Sequence, residues 1–249
     1  MDFAEVATFA CELADAARAE TLGATDRIAE EKSDHGPHDP VTAADRGAER
    51  AIRALIEQSF PDHGIAGEEF GVKQGRGRYV WSLDPIDGTR AYICRLPSWT
   101  TLIALLDGGQ PVFGLIDVPT LNERYLGHAG FRGLQASACR SLSEARASTT
   151  DPYLFADAEA EGFASLRRAV RLMRYGLDAY AYARLAAGSI DLVAESGLKP
   201  HDYNALIPVV RAAGGVIGNW RGEDDFSDGQ VLAAATPELF DEAVRLLSD

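Results

Sequence analysis

Apolar positions along the chain recur with two periods, and the change of period outlines the fold. Val6, Phe9, Leu13 and Ala17 fall at helical spacing and predict a helix over residues 3–22, with Gly23 just past its end. A turn-rich stretch follows at 32–44. A second helix is expected from about Asp45, with Ala48, Ile52, Leu55 and Ile56 on one face and Phe60-Pro61 closing it. HGIAGEEFG reads as a short strand running into a polar turn. Tyr79, Val80, Trp81 and Leu83 read as a strand that Asp84-Pro85-Ile86-Asp87-Gly88-Thr89 stops abruptly. Residues 99–130 read as a meander, in which Asp107-Gly108-Gly109-Gln110 joins two apolar strands and a third surrounds Tyr125.

Beyond residue 130 strands and helices alternate. A strand follows a short helix in SEARASTTDPYLFA. Residues 162–173 predict an amphipathic helix with Phe163, Leu166, Val170 and Met173 inward. DAYAYARLAAG is a helix ended by Gly188, and SIDLVAES is a strand. DYNALIPVVRAAGG is one helix, started by Asp202, ended by Gly214-Gly215 and bent at Pro208. VIGNW and QVLAAAT are strands, and PELFDEAVRLL is a last helix with Pro237 in its first turn. The pattern predicts two tightly joined halves, an α+β half over 1–130 and an α/β half over 131–249.

Composition narrows the function. Of 249 residues 46% are apolar and 25% charged, as in ordinary globular proteins, and the net charge of −14 argues against nucleic acid or an anionic membrane as partner. No run approaches eighteen apolar residues, so no membrane-spanning helix is expected. The N-terminus carries acids where a signal peptide carries bases, and Cys11, Cys94 and Cys139 are odd in number and far apart. Both features point to a cytoplasmic location with reduced thiols.

Asp45, Glu68, Asp84, Asp87 and Asp202 all fall in polar turns at predicted strand ends or helix starts. Buried together without a cation they would repel one another and take up protons. Hard oxygen donors at such positions suit Mg²⁺, whose shell is often completed by a substrate phosphate. That ion also lets an acidic protein bind an anion, because it reverses the local charge. Gly88 and Thr89 then open a possible helix with free N–H groups for that anion. Each feature alone has a plainer reading: a solvated turn at 84–88, surface charge at Glu68-Glu69, a helix N-cap at Asp202. The conjunction favours the metal.

Four blocks carry a resemblance: DPVTAADRGAE (39–49) with Lys32 before it, GEE (67–69), DPIDGT (84–89) and HDYNALIPVVRAAGG (201–215). In that order and spacing the chain resembles the inositol monophosphatase superfamily of Mg²⁺-dependent phosphatases along almost its whole length. The resemblance implies a layered αβαβα sandwich of the inositol monophosphatase/fructose-1,6-bisphosphatase type, usually a homodimer. It implies two to three Mg²⁺: one on Glu68, Asp84 and the Ile86 carbonyl, a second on Asp84, Asp87 and Asp202, and a looser third also touching Glu68. Asp45 and Thr89 would act with Glu68 on the attacking water. The N–H groups of Gly88 and Thr89 would bind phosphate oxygens, and residues 30–39 would form a mobile lid, poorly ordered without metal.

Within the superfamily GTRAY, the meander and RYGLDAYAYARLAAGSIDLVAESGLKPHD are similar to the histidinol-phosphatase-like branch. That branch implies hydrolysis of L-histidinol phosphate in histidine biosynthesis, with Arg90, Asp178 and Glu195 among the substrate contacts. The alternatives are inositol 1-phosphate, another small phosphate monoester such as 3′-phosphoadenosine 5′-phosphate, and a non-catalytic phosphate-binding scaffold. Leu177, Cys94-Arg95-Leu96, His201 and Asn219 depart from the branch's pattern. The first three departures bear on the substrate pocket, and His201 is read as a packing residue beside the last ligand.

Overall fold

The structure is a computed structural model that describes residues 2–25, 27–31, 40–155 and 157–247. Along the chain it forms α1 (Phe3–Gly23), β1 (Ala29–Glu31), β2 (Pro40–Thr42), α2 (Ala43–Ser59), β3 (Gly64–Gly67), β4 (Gly71–Lys73) and β5 (Tyr79–Asp87). It continues through α3 (Thr89–Ile93), β6 (Thr100–Asp107), β7 (Gln110–Val118), β8 (Glu123–His128), β9 (Arg146–Thr149), α4 (Asp157–Ala169) and β10 (Leu172–Tyr175). It ends with α5 (Tyr180–Ala186), β11 (Leu192–Glu195), α6 (Pro200–Tyr203), α7 (Leu206–Ala212), β12 (Val216–Gly218), β13 (Val231–Ala234) and α8 (Pro237–Leu247).

These elements stack in five layers. A six-stranded sheet has the order β4-β3-β5-β6-β7-β8, and a five-stranded sheet the order β10-β9-β11-β13-β12. Alternation along each strand sends side chains to both faces, so each sheet is covered twice. Trp81, Leu83, Ile103, Leu105, Phe113 and Leu115 pack against α1 and α2. Leu102, Ala104, Ile116 and Val118 face the other way, onto α5 and α7, which Val193, Val231 and Ala233 of the second sheet meet from beyond. Leu192, Leu232 and Ala234 then turn outward onto α4 and α8. The order is αβαβα, as expected. Asp117 ties α1 to this stack: it is fully buried and accepts from Arg18 at 2.7 and 2.9 Å and from Arg124 at 2.7 Å, which compensates its charge.

Three local readings need correction. The strand expected to stop at Asp84 runs on to Asp87. The helix expected over 162–173 spans 157–169, because residues 172–175 pair in parallel with β9, and ladder bonds outweigh the helical spacing of Val170 and Met173. The helix expected from Asp202 to Gly215 is two helices, broken at Asn204 and Ala205. Asn204 and Ala205 keep helical dihedral angles across that break, and Pro208, third in α7, has no N–H to give the Asn204 carbonyl, so the interruption falls where the proline removes a hydrogen bond. The expected lid, with Lys32, lies largely outside the described residues.

The register of β7 and β8 sets how close α7 comes. Gly114 and Gly127 are cross-strand partners. A Cβ on Gly114 would stand 2.1 Å from the Ala205 carbonyl oxygen, and one on Gly127 would stand 2.3 Å from the Pro208 carbonyl oxygen and from Val209 Cα. The two glycines let helix backbone rest on sheet backbone. Gly127→Ala should lower unfolding free energy by about 1–3 kcal/mol, the range for overpacking a tight core, in urea titration. Gly23→Ala, whose Cβ would meet nothing within 4 Å, is the control.

Candidate active site

The acids converge because β5 carries a bulge. In a regular strand Asp84 and Asp87, three residues apart, would face opposite sides of the sheet. Pairing with β6 runs through Asp84 with Leu102 and resumes at Asp87 with Thr100, so one extra residue sits on β5. That slip brings Asp87 round to the side of Asp84, while Ile86 turns into a small core with Ala44, Tyr92 and Trp99. Pro85 has no N–H to offer a ladder and fits the bulge. Its carbonyl accepts from Thr101 Oγ1 at 2.8 Å.

Asp202 arrives from the middle layer. It occupies the third position of α6, and its Oδ2 accepts from the Lys199 N–H at 2.7 Å. Asp45 repeats the arrangement in α2, accepting the Thr42 N–H on Oδ2 at 2.8 Å. Each acid uses one oxygen to close the start of its own helix, which fixes its side chain. Asp87 is held from two sides, by the Ala179 N–H at 2.8 Å and Thr100 Oγ1 at 3.2 Å. Asp84 Oδ1 accepts from the Ile86 N–H at 3.1 Å.

Carboxylate oxygens of Asp84, Asp87 and Asp202 all lie within 4.8 Å of one another. They border a cleft of about 250 Å³ also lined by Glu68, Ile86, Gly88, Thr89, Arg90, Asp178 and Glu195. Burial, then the charges of Glu68, Asp87 and Asp202, hold Asp84 well above the ordinary carboxylate range. Burial and the charges of Asp178 and Asp202 do the same for Asp87. Burial raises Asp178 to about 6 although Arg90 opposes it, and raises Glu195 to about 8 against hydrogen bonds from Thr149 and Thr150. Asp202 and Asp45 are raised too, chiefly by burial. Such a donor set fits a hard divalent cation, which would offset the repulsion.

Of the expected site residues that the structure describes, then, Asp45 alone is absent from the cleft lining, yet it is near enough to Glu68 for each to feel the other's charge. Thr89 opens α3 with its hydroxyl donating to the Ile86 carbonyl at 3.0 Å. Gly88 has φ +80°, and a Cβ there would stand 2.8 Å from Asp178 Oδ2. Arg90 is 3.6 Å from Asp151 at the exposed rim. His201 Nε2 lies 3.5 Å from Asp202 Oδ1 and 4.0 Å from Glu68 Oε1, beside the ligands as read. The other departures are not in the lining of the cleft. Leu177 packs against the central core, and Cys94, Arg95 and Leu96 are exposed at the end of α3. Asn219 organises a distant turn, accepting from the Arg221 and Glu223 N–H groups and donating to Glu223 Oε2. An aspartate there would have no proton to donate.

The sequence reading missed Tyr182, a fully buried residue in the cleft wall whose hydroxyl has no hydrogen-bond partner among the described residues. It missed Thr149 and Thr150 as well: Thr150 donates both N–H (2.8 Å) and hydroxyl (3.0 Å) to Glu195 Oε1. No motif marks them, because a hydroxyl at a strand end becomes informative only once its neighbours are known.

Each raised carboxylate favours the fold while protonated, and that contribution is lost as pH rises through about 6 for Asp178 and about 8 for Glu195. Without divalent cation the melting temperature should therefore fall between pH 5 and pH 8.5, and added Mg²⁺ should flatten the decline. Asp84→Asn removes one repelling charge and should raise the metal-free melting temperature at pH 8 while abolishing the gain from Mg²⁺. Differential scanning calorimetry checks both.

Comparison with known proteins agrees with this geometry. The model of the inositol monophosphatase family matches residues 2–249. The chain is 45% identical over 205 residues to the bifunctional phosphatase IMPL2, chloroplastic, of Arabidopsis thaliana, an alignment spanning 79% of this chain and 59% of that protein. It is 35% identical over 265 residues to histidinol-phosphatase of Streptomyces coelicolor, spanning 100% of this chain and 97% of that one. An inositol monophosphatase structure from Zymomonas mobilis superposes with a TM-score of 0.88 at 36% identity over the whole of both chains. With its acids gathered at a β5 bulge in an αβαβα stack, the chain belongs to the inositol monophosphatase family and is a phosphoric monoester hydrolase.

Proposed function

We propose that this protein hydrolyses L-histidinol phosphate to L-histidinol and phosphate, using Mg²⁺ held by Glu68, Asp84, the Ile86 carbonyl, Asp87 and Asp202. The single observation that carries the chemistry is the convergence of the Asp84, Asp87 and Asp202 carboxylates within 4.8 Å at a cleft. The full-length likeness to a Streptomyces histidinol-phosphatase supports the substrate. Bound there, two to three Mg²⁺ would lower the pKa of the attacking water and neutralise charge on the attacking and leaving oxygens.

The chain's own groups do the positioning. Asp45, Glu68 and Thr89 orient the water and take its proton, and the N–H groups of Gly88 and Thr89, at the start of α3, receive phosphate oxygens. Glu195 faces the cleft with its carboxylate fixed by Thr149 and Thr150. An ammonium or imidazolium on the leaving alcohol would favour the ionised form of this acid, and a neutral polyol would not. Arg90 and Asp178 line the same cleft and complete the substrate contacts. Homodimerisation, a cytoplasmic location and a boundary near residue 130, between β8 and β9, belong to the same proposal. Among the described residues no helix is long and apolar enough to cross a membrane.

Inositol 1-phosphate is the second reading, favoured by the superposition on the Zymomonas inositol monophosphatase. Phosphate release measured on both esters decides between them. The rate constant kcat/KM on histidinol phosphate should exceed that on inositol 1-phosphate at least about tenfold, a modest discrimination for a polar site. Activity should vanish with a chelator and in Asp84→Asn. A larger rate on inositol 1-phosphate would sink the substrate assignment. Binding of phosphate esters without turnover would instead leave only a scaffold.

A further inference from the structure

Glu49 is fully buried in the middle of α2, outside the cleft, and no part of the proposed chemistry uses it. A buried carboxylate is costly unless its oxygens are satisfied. Here they are. Oε2 accepts from the Glu69 N–H at 2.7 Å, and Oε1 accepts from the Phe70 N–H at 3.2 Å and from Arg53 Nε at 2.7 Å. Arg53, one turn along α2, also donates to the Gly71 carbonyl. The turn between β3 and β4 is thus fastened to α2 at three successive residues. On its other side the Glu68 N–H donates to the Leu83 carbonyl at 3.1 Å, one residue before Asp84. Gly67 makes the approach possible, since a Cβ there would fall 2.0 Å from Glu49 Oε1.

Glu68 stands between these fastenings. Its charge is among those that raise Asp84, Asp202 and Asp45, and its side chain shares a hydrogen bond with Asp84; once both are ionised with no cation between them that bond is lost and repulsion acts on the Glu68 turn. Glu68 rides on a short turn, which yields to such a force more readily than β5, which carries Asp84 and Asp87, or the helix first turns that carry Asp45 and Asp202. We propose that Glu49, supported by Arg53, is the positioning residue that holds the Glu68 turn in its metal-binding geometry. The requirement explains why an anion is buried there. Two converging N–H groups and a guanidinium need two acceptor oxygens, and a glutamine would turn its own NH₂ toward one of those donors.

This inference rests on the reading of Glu68 as a metal ligand, and the test separates the two. Wild type, Glu49→Gln, Arg53→Met and Glu68→Gln are compared by Mg²⁺ titration of phosphate release, by calorimetric Mg²⁺ binding, and by the rise in melting temperature that Mg²⁺ produces. Glu49→Gln should raise the Mg²⁺ half-saturation point about tenfold, at the low end for partners of metal ligands. Its kcat at saturating Mg²⁺ should stay within about threefold, and the Mg²⁺-dependent rise in melting temperature should shrink. Arg53→Met keeps the carboxylate and should shift Mg²⁺ binding the same way by a smaller factor, so it decides the matter if Glu49→Gln does not fold. A lowered melting temperature with unchanged Mg²⁺ half-saturation in both variants would make Glu49 purely structural and overturn the inference. Unchanged Mg²⁺ binding in Glu68→Gln would overturn the ligand reading itself.

Discussion

Repulsion among buried carboxylates is the constraint on which the rest of the structure depends. Asp84, Asp87 and Asp202 share a space in which burial and one another's charge push all three toward the protonated form. Left to itself such a cluster would splay apart or neutralise. The surrounding fold prevents the splaying, giving each of the three at least one donor that fixes its direction. The strain is stored where a cation of the right size and hardness would relieve it, and a local loss of stability becomes affinity for the metal.

The layered architecture serves that end. Three layers supply the acids: α2 brings Asp45, the six-stranded sheet brings Glu68, Asp84 and Asp87, and the middle helices bring Asp202. Asp202 could not meet the acids of the sheet unless sheet and helix came unusually close. The Gly114–Gly127 pair permits that approach by letting the start of α7 lie on β7 and β8. Near that contact Asn204, between α6 and α7, donates to Ser82 on β5 at 3.1 Å, a buried bond tying Asp202's segment to the strand that carries Asp84.

Much of this was legible beforehand because local rules and global structure agree. The periodic apolar faces of α1 and α2, the meander β6–β8 and the glycine-ended helix α5 formed as spacing predicts, and the metal-implied acids all sit in or directly against one cleft. The misreadings share a cause. Residues 170–173 keep helical spacing, yet they pair with β9. Asp202 reads as a helix cap, yet Lys199 begins the helix and Asp202 closes back onto it. In each case a long-range partner or a neighbouring turn overrode a pattern that only local spacing could reveal.

By itself, the sequence determined which groups are available: five acids at element ends, a Pro between two of them, glycines where the chain must turn, and apolar stripes enough for two covered sheets. That followed from residue chemistry and short-range periodicity, which need no partner to be read. Only the tertiary structure decided which faces those groups take. A one-residue bulge turned Asp87 to the side of Asp84, a pair of facing glycines set the depth of Asp202, and buried Glu49 anchored the turn bearing Glu68. Each of these depends on contact between segments distant in the chain, and contact of that kind leaves no mark on spacing or composition.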